Sequence, residues 1–306
     1  MMVESKHMLM SEEDRMTTTT HDDLTDRVCL VTGATSGIGQ ETALGLARSG
    51  ATVLLVARDP ERGKQSAARI RAAVRYADVE LFVADLASQH DVRELAHQVQ
   101  RTHPRLDVLV HNAAAVNAVR RLSPDGIGAT LAVNHLAPFL LTHLLRQTLT
   151  DTPGSRVVTV SSYMHTKVKQ IPWDDLQSER GYSAASTYNL TKLMNILFTY
   201  ELARRWAGQG PTANTLHPGW PLKTNLGREQ TGAGALFDRA TKIVGASAAK
   251  GAATSIYAAA SPDLTTTTGQ YFARSRQATS SALSHDAEAA TRLWAASEHA
   301  VHLNAE

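Results

Sequence analysis

From Arg27 onward, short runs of valine and leucine alternate with longer stretches in which apolar residues return every three or four positions. The runs are VCLVT (28–32), TVLLVA (52–57), VELFVAD (79–85), LDVLVHN (106–112), SRVVTVSS (155–162), TANTLHPG (212–219) and GQYFA (269–273). Between them lie helical patterns: GQETALGLARSG from Gly39, PERGKQSAARIRAAV from Pro60, ASQHDVRELAHQVQRTH from Ala87, one long helix over about 128–149, another over 183–206, and HDAEAATRLWAASEHA near the end. Strands without polar alternation are covered on both faces, and strands separated by helices are parallel. The pattern therefore predicts an α/β fold, a doubly wound parallel sheet forming a single domain over 27–306. TTTT at 265–268 reads as an exposed turn before the last strand.

The first 26 residues mix charge with threonine and hold no apolar stretch long enough for a signal peptide or a membrane helix, so they read as a flexible tail. Met8, Met10 and Met16 leave the natural start open. Elsewhere no apolar run approaches the ~20 residues that span a bilayer, which predicts a soluble protein with no membrane span. With 43% hydrophobic residues in 306, the chain can bury a full core. The 31 basic residues are interspersed with 29 acidic ones, so no basic stripe points to nucleic acid. Cys29, the single cysteine, rules out an intrachain disulfide and favours a cytoplasmic location. The 13 histidines show no metal-ligand spacing such as HExxH.

Two stretches carry chemistry. STYNLTKLMN (186–195) places Tyr188 and Lys192 four residues apart in a helical pattern, hence on one face with Cβ atoms about 5–6 Å apart. An ammonium beside a phenol favours phenolate and lowers the phenol's pKa from about 10, which prepares a tyrosine to exchange protons near neutrality. Tyr182 has no lysine four residues on.

The second is TGATSGIG (32–39), which joins the first strand to a helix. Gly33, Gly37 and Gly39 permit a tight turn, close approach of backbone to a pyrophosphate and close helix–strand contact, and the helix N-terminus favours an anion. At the end of the second strand, where an acid would bind the ribose 2′-hydroxyl of NAD, VARDP offers Ala57 and then Arg58. A cation there suits a 2′-phosphate, which predicts NADP(H). The alternative is a surface arginine salt-bridged to Asp59.

TGATSGIG, HNAA at 111, Asn134, VSS at 160, YNLTK at 188 and HPG at 217, in that order, resemble the short-chain dehydrogenase/reductase family over almost everything after Asp26. NHLAPFLLT, YNLTKLMNILFTYELARR, GQYFA and RLWAASE resemble its retinol-dehydrogenase-like branch. The resemblance implies a Rossmann-fold oxidoreductase. Tyr188 would be the catalytic acid/base, Lys192 would lower its pKa and bind the nicotinamide ribose, Ser162 would hydrogen-bond the substrate oxygen, and Asn134 would hold a water linking Lys192 to solvent. Ser161 competes with Ser162, since neighbouring strand residues face opposite ways. The cofactor would lie against Gly33, Thr35, Ser36, Gly37, Ile38, Gly39, Arg58, Asp85, Leu86, Asn112, Ala113, Pro218, Gly219 and Thr224, along with Tyr188 and Lys192.

Departures are visible too. Ala114 stands where relatives commonly have glycine, and Thr224 comes one residue later than the usual PGxxxT spacing, with Pro221 removing a donor.

Loops after strand C-termini shape substrate pockets in such folds. The segments about 163–182 and 219–247 carry Met164, Tyr182, Trp220, Leu222, Leu226, Leu236, Phe237 and Ile243, which read as a lid over a bulky lipophilic carbonyl or alcohol, or as a satellite core beneath one. Met164, Tyr182 and Trp220 are the candidate substrate contacts. The expected activity is NADP(H)-dependent interconversion of a carbonyl and an alcohol on a lipophilic small molecule. The alternative of another class is a catalytically silent NADP(H) sensor. The two long helices could form a dimer face, as in relatives, which would make a homodimer or homotetramer.

Overall fold

The structure is a computed structural model, and it describes residues 23–208, 210–219 and 247–303. Eight strands make one sheet in the order β3-β2-β1-β4-β5-β6-β7-β8. They are β1 Val28–Thr32, β2 Thr52–Ala57, β3 Val79–Val83, β4 Val108–His111, β5 Arg156–Val160, β6 Thr212–His217, β7 Tyr271–Ala273 and β8 Arg276–Gln277. The first seven run parallel, and β8 pairs antiparallel with β7. The sequence pattern does not announce β8: it is two exposed polar residues, reached through Arg274 and Ser275, both at positive φ (53° and 54°). Two successive residues at positive φ make the tight hairpin turn that Asn-Gly usually signals, and Arg-Ser carries no such signal.

Among the described residues the seven longer helices are α1 Gly37–Arg48, α2 Pro60–Ala73, α3 Gln89–Thr102, α4 Ala137–Leu144, α5 Ala184–Arg205, α6 Ala248–Ala260 and α7 Ala287–Ala300. Side-chain caps start five of them. Asp59 accepts from Glu61 and Arg62 N–H ahead of α2, and Ser88, Ser183, Ser247 and Asp286 do the same for α3, α5, α6 and α7.

The continuous helix expected over 128–149 is broken. A turn at Ala129–Leu131 passes into a π-helical stretch, Ala132–Leu136, then α4, then a short helix Arg146–Thr150. Pro138 is the cause. It lacks the N–H that the Asn134 carbonyl would meet four residues on, so the ladder loosens at Asn134.

Alternate residues of the central strands feed two cores. Leu30, Leu54 and Leu109 face α3, α4, α5 and α7, while Cys29, Val31, Val53, Leu55 and Val110 face α1, α2 and α6. Double coverage is why the strands read as unbroken apolar runs. From β1 the sheet grows one way through β2 and β3 and the other way through β4 and β5. The loops leaving the C-terminal ends of β1 and β4 thus part to opposite faces, and such a switch point is where open α/β sheets bind ligands.

Candidate active site

At the end of β1, Gly33 and Gly37 have φ of 67° and 57°, the left-handed region that other residues enter at a cost. They do different work. A Cβ on Gly33 would strike the Ala113 backbone at 2.7 Å, so this glycine lets the loops after β1 and β4 touch. A Cβ on Gly37 would meet nothing within 4 Å, so Gly37 borders open space. Ser36 is the N-cap of α1, yet its side chain caps none of the first-turn N–H groups. Those groups have no intrahelical partner, and with the helix dipole behind them they suit an anion. Thr35, Ser36, Gly37 and Ile38 are all partly exposed along this edge.

Asn112 and Ala113 stand opposite. The Asn112 amide donates to the Thr32 carbonyl at 2.9 Å, and the N–H groups of both residues donate to the Thr32 hydroxyl at 3.0 and 3.1 Å. Thr32, the last residue of β1, therefore fixes the mouth of the cleft. The sequence reading missed it, although a hydroxyl residue closing a strand just before a glycine turn is the signal that would have found it.

Across the sheet, the serine pair directly follows β5. Ser161 points away from the cleft: it is buried, and its hydroxyl donates to the Lys192 carbonyl at 2.7 Å. Ser162 faces Tyr188, close enough for a hydrogen bond that favours the phenolate. The Ser162 Oγ also accepts from the Met164 N–H at 3.2 Å, which starts a 3-10 helix, Tyr163–Lys167. Strand alternation thus brings Ser162, and not Ser161, to the tyrosine.

Tyr188 and Lys192 share one face of α5, with Nζ 5.5 Å from the centre of the phenol ring. Nζ donates to the Val160 carbonyl at 2.9 Å. The expected acidification of the phenol is not what this geometry gives. Burial pushes Tyr188 up to about 12, with Ser162 opposing, and the same burial lowers Lys192 to about 8. Desolvation penalises both charged forms. At neutral pH the tyrosine is a phenol, a proton donor.

Asn134 is fully buried, and its side chain is committed. Its Oδ1 accepts from the Ala115 N–H at 2.7 Å, and its Nδ2 donates to the Ala115 carbonyl and the Thr191 hydroxyl at 3.0 and 3.1 Å. The side chain clamps the loop after β4 onto α5. Its main-chain carbonyl has no N–H at Pro138 to accept from.

The chain matches the family model of short chain dehydrogenases over residues 27–233. The chain belongs to the short-chain dehydrogenase family. Within it the protein is retinol-dehydrogenase-like: retinol dehydrogenase 14 of Mus musculus is 39% identical over 285 residues, 89% of this chain and 85% of that protein. DnrU of Streptomyces sp. (strain C5), named provisionally as a daunorubicin C-13 ketoreductase, is 42% identical over 92% of this chain and 95% of its own. Among solved structures, an uncharacterised protein from Mycobacterium paratuberculosis superposes with a TM-score of 0.75 at 33% identity, covering 92% of this chain and 95% of that one. A short chain dehydrogenase from Escherichia coli CFT073 complexed with NADPH gives 0.63 at 26% identity, over 83% of this chain and 99% of that one. The protein is an oxidoreductase acting on CH–OH groups with a nicotinamide cofactor.

In this short-chain dehydrogenase the remaining candidates divide. Arg58 is exposed and makes no hydrogen bond or ion pair among the described residues; Asp59, its expected salt-bridge partner, is occupied in capping α2. Asp85 is partly exposed and holds the Ala87 N–H at 3.0 Å, whereas the Leu86 side chain is buried in the core with Val92, Leu136 and Leu140. Met164 is half-buried beside Ser162. Tyr182 donates its hydroxyl to the Asn117 carbonyl at 2.5 Å, bridging the loops that flank the cleft. In the same insertion, Ile171 is buried in the core and Trp173 and Leu176 pack against it. Pro218 and Gly219 follow His217, which ends β6 and accepts the Gly219 N–H at its Nδ1. Trp220, Thr224 and the rest of 220–246 lie outside the described residues. No described helix is long and apolar enough to cross a membrane.

Proposed function

We propose that the protein reduces a carbonyl to an alcohol on a bulky lipophilic small molecule with NADPH, Tyr188 acting as the acid. One observation carries this reading: Ser162, Tyr188 and Lys192 converge at the C-terminal edge of the sheet, across from a glycine turn whose helix N-terminus is free to take an anion. The residues fit a dinucleotide, with the first turn of α1 toward the pyrophosphate, Asp85 toward the adenine, Arg58 toward a 2′-phosphate, and Lys192, Pro218 and Gly219 toward the nicotinamide end. The bound cofactor supplies the hydride.

The chain's own residues manage the proton. Ser162 orients the substrate oxygen, and Tyr188, neutral at pH 7, gives its proton to that oxygen as negative charge develops there. Lys192, near 8, is cationic when Tyr188 must give up a proton and stabilises the phenolate left behind. The Asn134 main-chain carbonyl is the acceptor for a water that returns a proton toward Lys192. A phenol held protonated favours reduction over oxidation at neutral pH. The name borne by the Streptomyces relative, a ketoreductase, is in keeping with that direction. The retinol dehydrogenase names are in keeping with a lipophilic substrate. The single, buried cysteine suits a reducing cytoplasm.

The test is NADPH absorbance decay on a panel of aromatic ketones, steroids, retinal and quinones, run beside the Tyr188→Phe variant. Turnover that falls roughly 100-fold or more in the variant, with NADPH affinity kept, supports the role, since general acids contribute on that order or more. Wild-type-like turnover in Tyr188→Phe refutes it. NADPH binding without turnover across the panel supports a sensor instead.

A further inference from the structure

His165 has both ring nitrogens committed, in opposite senses. Its Nδ1 lies 2.7 Å from the Ser162 carbonyl, and its Nε2 faces the Ser281 backbone N–H at 3.0 Å. A carbonyl can only accept, so Nδ1 carries the proton; an amide N–H can only donate, so Nε2 does not. The ring is 1% exposed and lies edge-on to Tyr271. It sits in the 3-10 helix that Ser162 caps, whereas Ser281 immediately precedes another 3-10 helix, Ala282–His285, 116 residues further on. One imidazole therefore ties the peptide of the cleft-facing serine to the C-terminal segment of the chain.

We propose that His165 is a positioning residue: by holding the Ser162 carbonyl and anchoring it to Ser281, it keeps the Ser162 hydroxyl turned toward Tyr188. This role rests on the reading of Tyr188 and Ser162 as the proton-transfer pair. The Ser162 Oγ already accepts from the Met164 N–H, so its own hydrogen is left to donate toward the tyrosine or the substrate oxygen. That direction depends on the backbone torsions at Ser162. The N–H from Met164 restrains one side of the residue, and the His165 bond to the Ser162 carbonyl restrains the other.

The clamp is sensitive to acid. A second proton on the ring would set an N–H against the Ser281 N–H and break the link to the C-terminal segment. The groups facing this region from neighbouring elements are His217 at the end of β6, Tyr271 on β7, Arg274 after it, Tyr163 on the same turn, Tyr200 on α5 and His285 beside Ser280. Burial holds His217 below the usual range, and His165 and Arg274 beside it lower it further. No carboxylate among the described residues acts on His165, and burial holds its pKa below the usual range.

The experiment compares wild type, His165→Asn and His165→Phe in NADPH-dependent reduction, with 15N spectra of the wild-type histidines. Asparagine can place an amide near Nδ1 and keep donating to Ser162, without reaching Ser281; phenylalanine keeps only the volume. Phe should lower kcat roughly 100-fold, the scale of a small misplacement in a site, with NADPH affinity unchanged. Asn should restore about tenfold of that loss and lack the acidic limb that wild type shows. A structural role alone would lower stability in both variants and leave the pH limb in place.

The spectra should show a neutral ring with Nδ1 protonated at pH 7, whether or not any substrate is turned over. Turnover with Nε2 protonated, equal kcat in Asn and Phe, or a limb that persists in Asn overturns this role alone. Absence of wild-type turnover with Nδ1 protonated overturns the Tyr188 reading and the positioning role with it. Should His165→Phe not fold, the tautomer and the Asn pH profile decide.

Discussion

Lys192 on α5 donates from Nζ to the Val160 carbonyl at 2.9 Å, which ties the helix to β5 one residue before the serine pair. Ser161 returns the bond from the other side, its hydroxyl donating to the Lys192 carbonyl at 2.7 Å. Two reciprocal bonds thus lock the tyrosine-bearing turn of α5 to the strand end that presents Ser162. The register between Tyr188 and Ser162 is a property of this lock as much as of either side chain.

The lock buries an amine, with a consequence for stability. Lys192 falls from 10.5 to about 8 in the fold. Between those values the unfolded chain binds a proton that the native state has released, so stability rises with pH across that window. Each pKa unit is worth 1.36 kcal/mol, so the full contribution is on the order of 3 kcal/mol. Cys29 and Tyr188 are both raised by burial and pull the opposite way at high pH, so the comparison must be made with Lys192→Met, in which those effects cancel. Urea unfolding at pH 7.5 and 9.5 should show wild type gaining on the variant as pH rises. A difference independent of pH would mean that the amine is not desolvated.

The same two values fix the direction of the pH–rate profile. Reduction needs the Tyr188 proton, which is held up to about 12, and a charged Lys192, which is lost above about 8. The rate of carbonyl reduction should therefore hold near pH 7 and decline above about 8, while alcohol oxidation, which needs the phenolate, climbs with pH. Initial rates in both directions from pH 6 to about 10 check this. Reduction that accelerates above pH 8 would contradict it.

What could be read from sequence was local. The Tyr188–Lys192 pair and the glycine turn depend on spacing within one helix or one loop, and both stand where that spacing puts them. The direction of the Tyr188 shift was misread because burial comes from the whole fold, and only the neighbouring cation was visible in the sequence. The break at Asn134 is written in Pro138, whereas the helical periodicity that continues on both sides of it gives one helix over 128–149. The His165 bond to Ser281 spans 116 residues, and no period or motif connects the two.

Arg58 offers a test of cofactor choice. It is exposed and without a partner among the described residues, since Asp59 is engaged as the α2 cap. Arg58→Ala should lower kcat/KM for NADPH about 10- to 100-fold, the range for a charged hydrogen bond of about 1.5–3 kcal/mol, and leave NADH little changed. Asp59→Ala should act differently, costing about 1 kcal/mol of stability through the lost cap without changing the cofactor ratio. An unaltered NADPH-to-NADH ratio in Arg58→Ala would remove the arginine from the 2′-phosphate role.

The two positive-φ glycines of the first turn separate binding from folding. Alanine at either position costs about 1–2 kcal/mol for the left-handed conformation. At Gly37 that is the whole structural cost, because the new methyl meets nothing within 4 Å; it projects into the open edge where an anion would approach the first turn of α1. At Gly33 the methyl would also strike the Ala113 backbone and force apart the loops that Thr32 holds together. Gly37→Ala should therefore weaken dinucleotide binding at least tenfold with a modest loss of stability, while Gly33→Ala should destabilise the fold by more than the strain alone, beyond about 2 kcal/mol. Cofactor titration by fluorescence and urea unfolding of both variants measure the two effects. Equal affinity in Gly37→Ala and wild type would mean that the dinucleotide does not run over this turn.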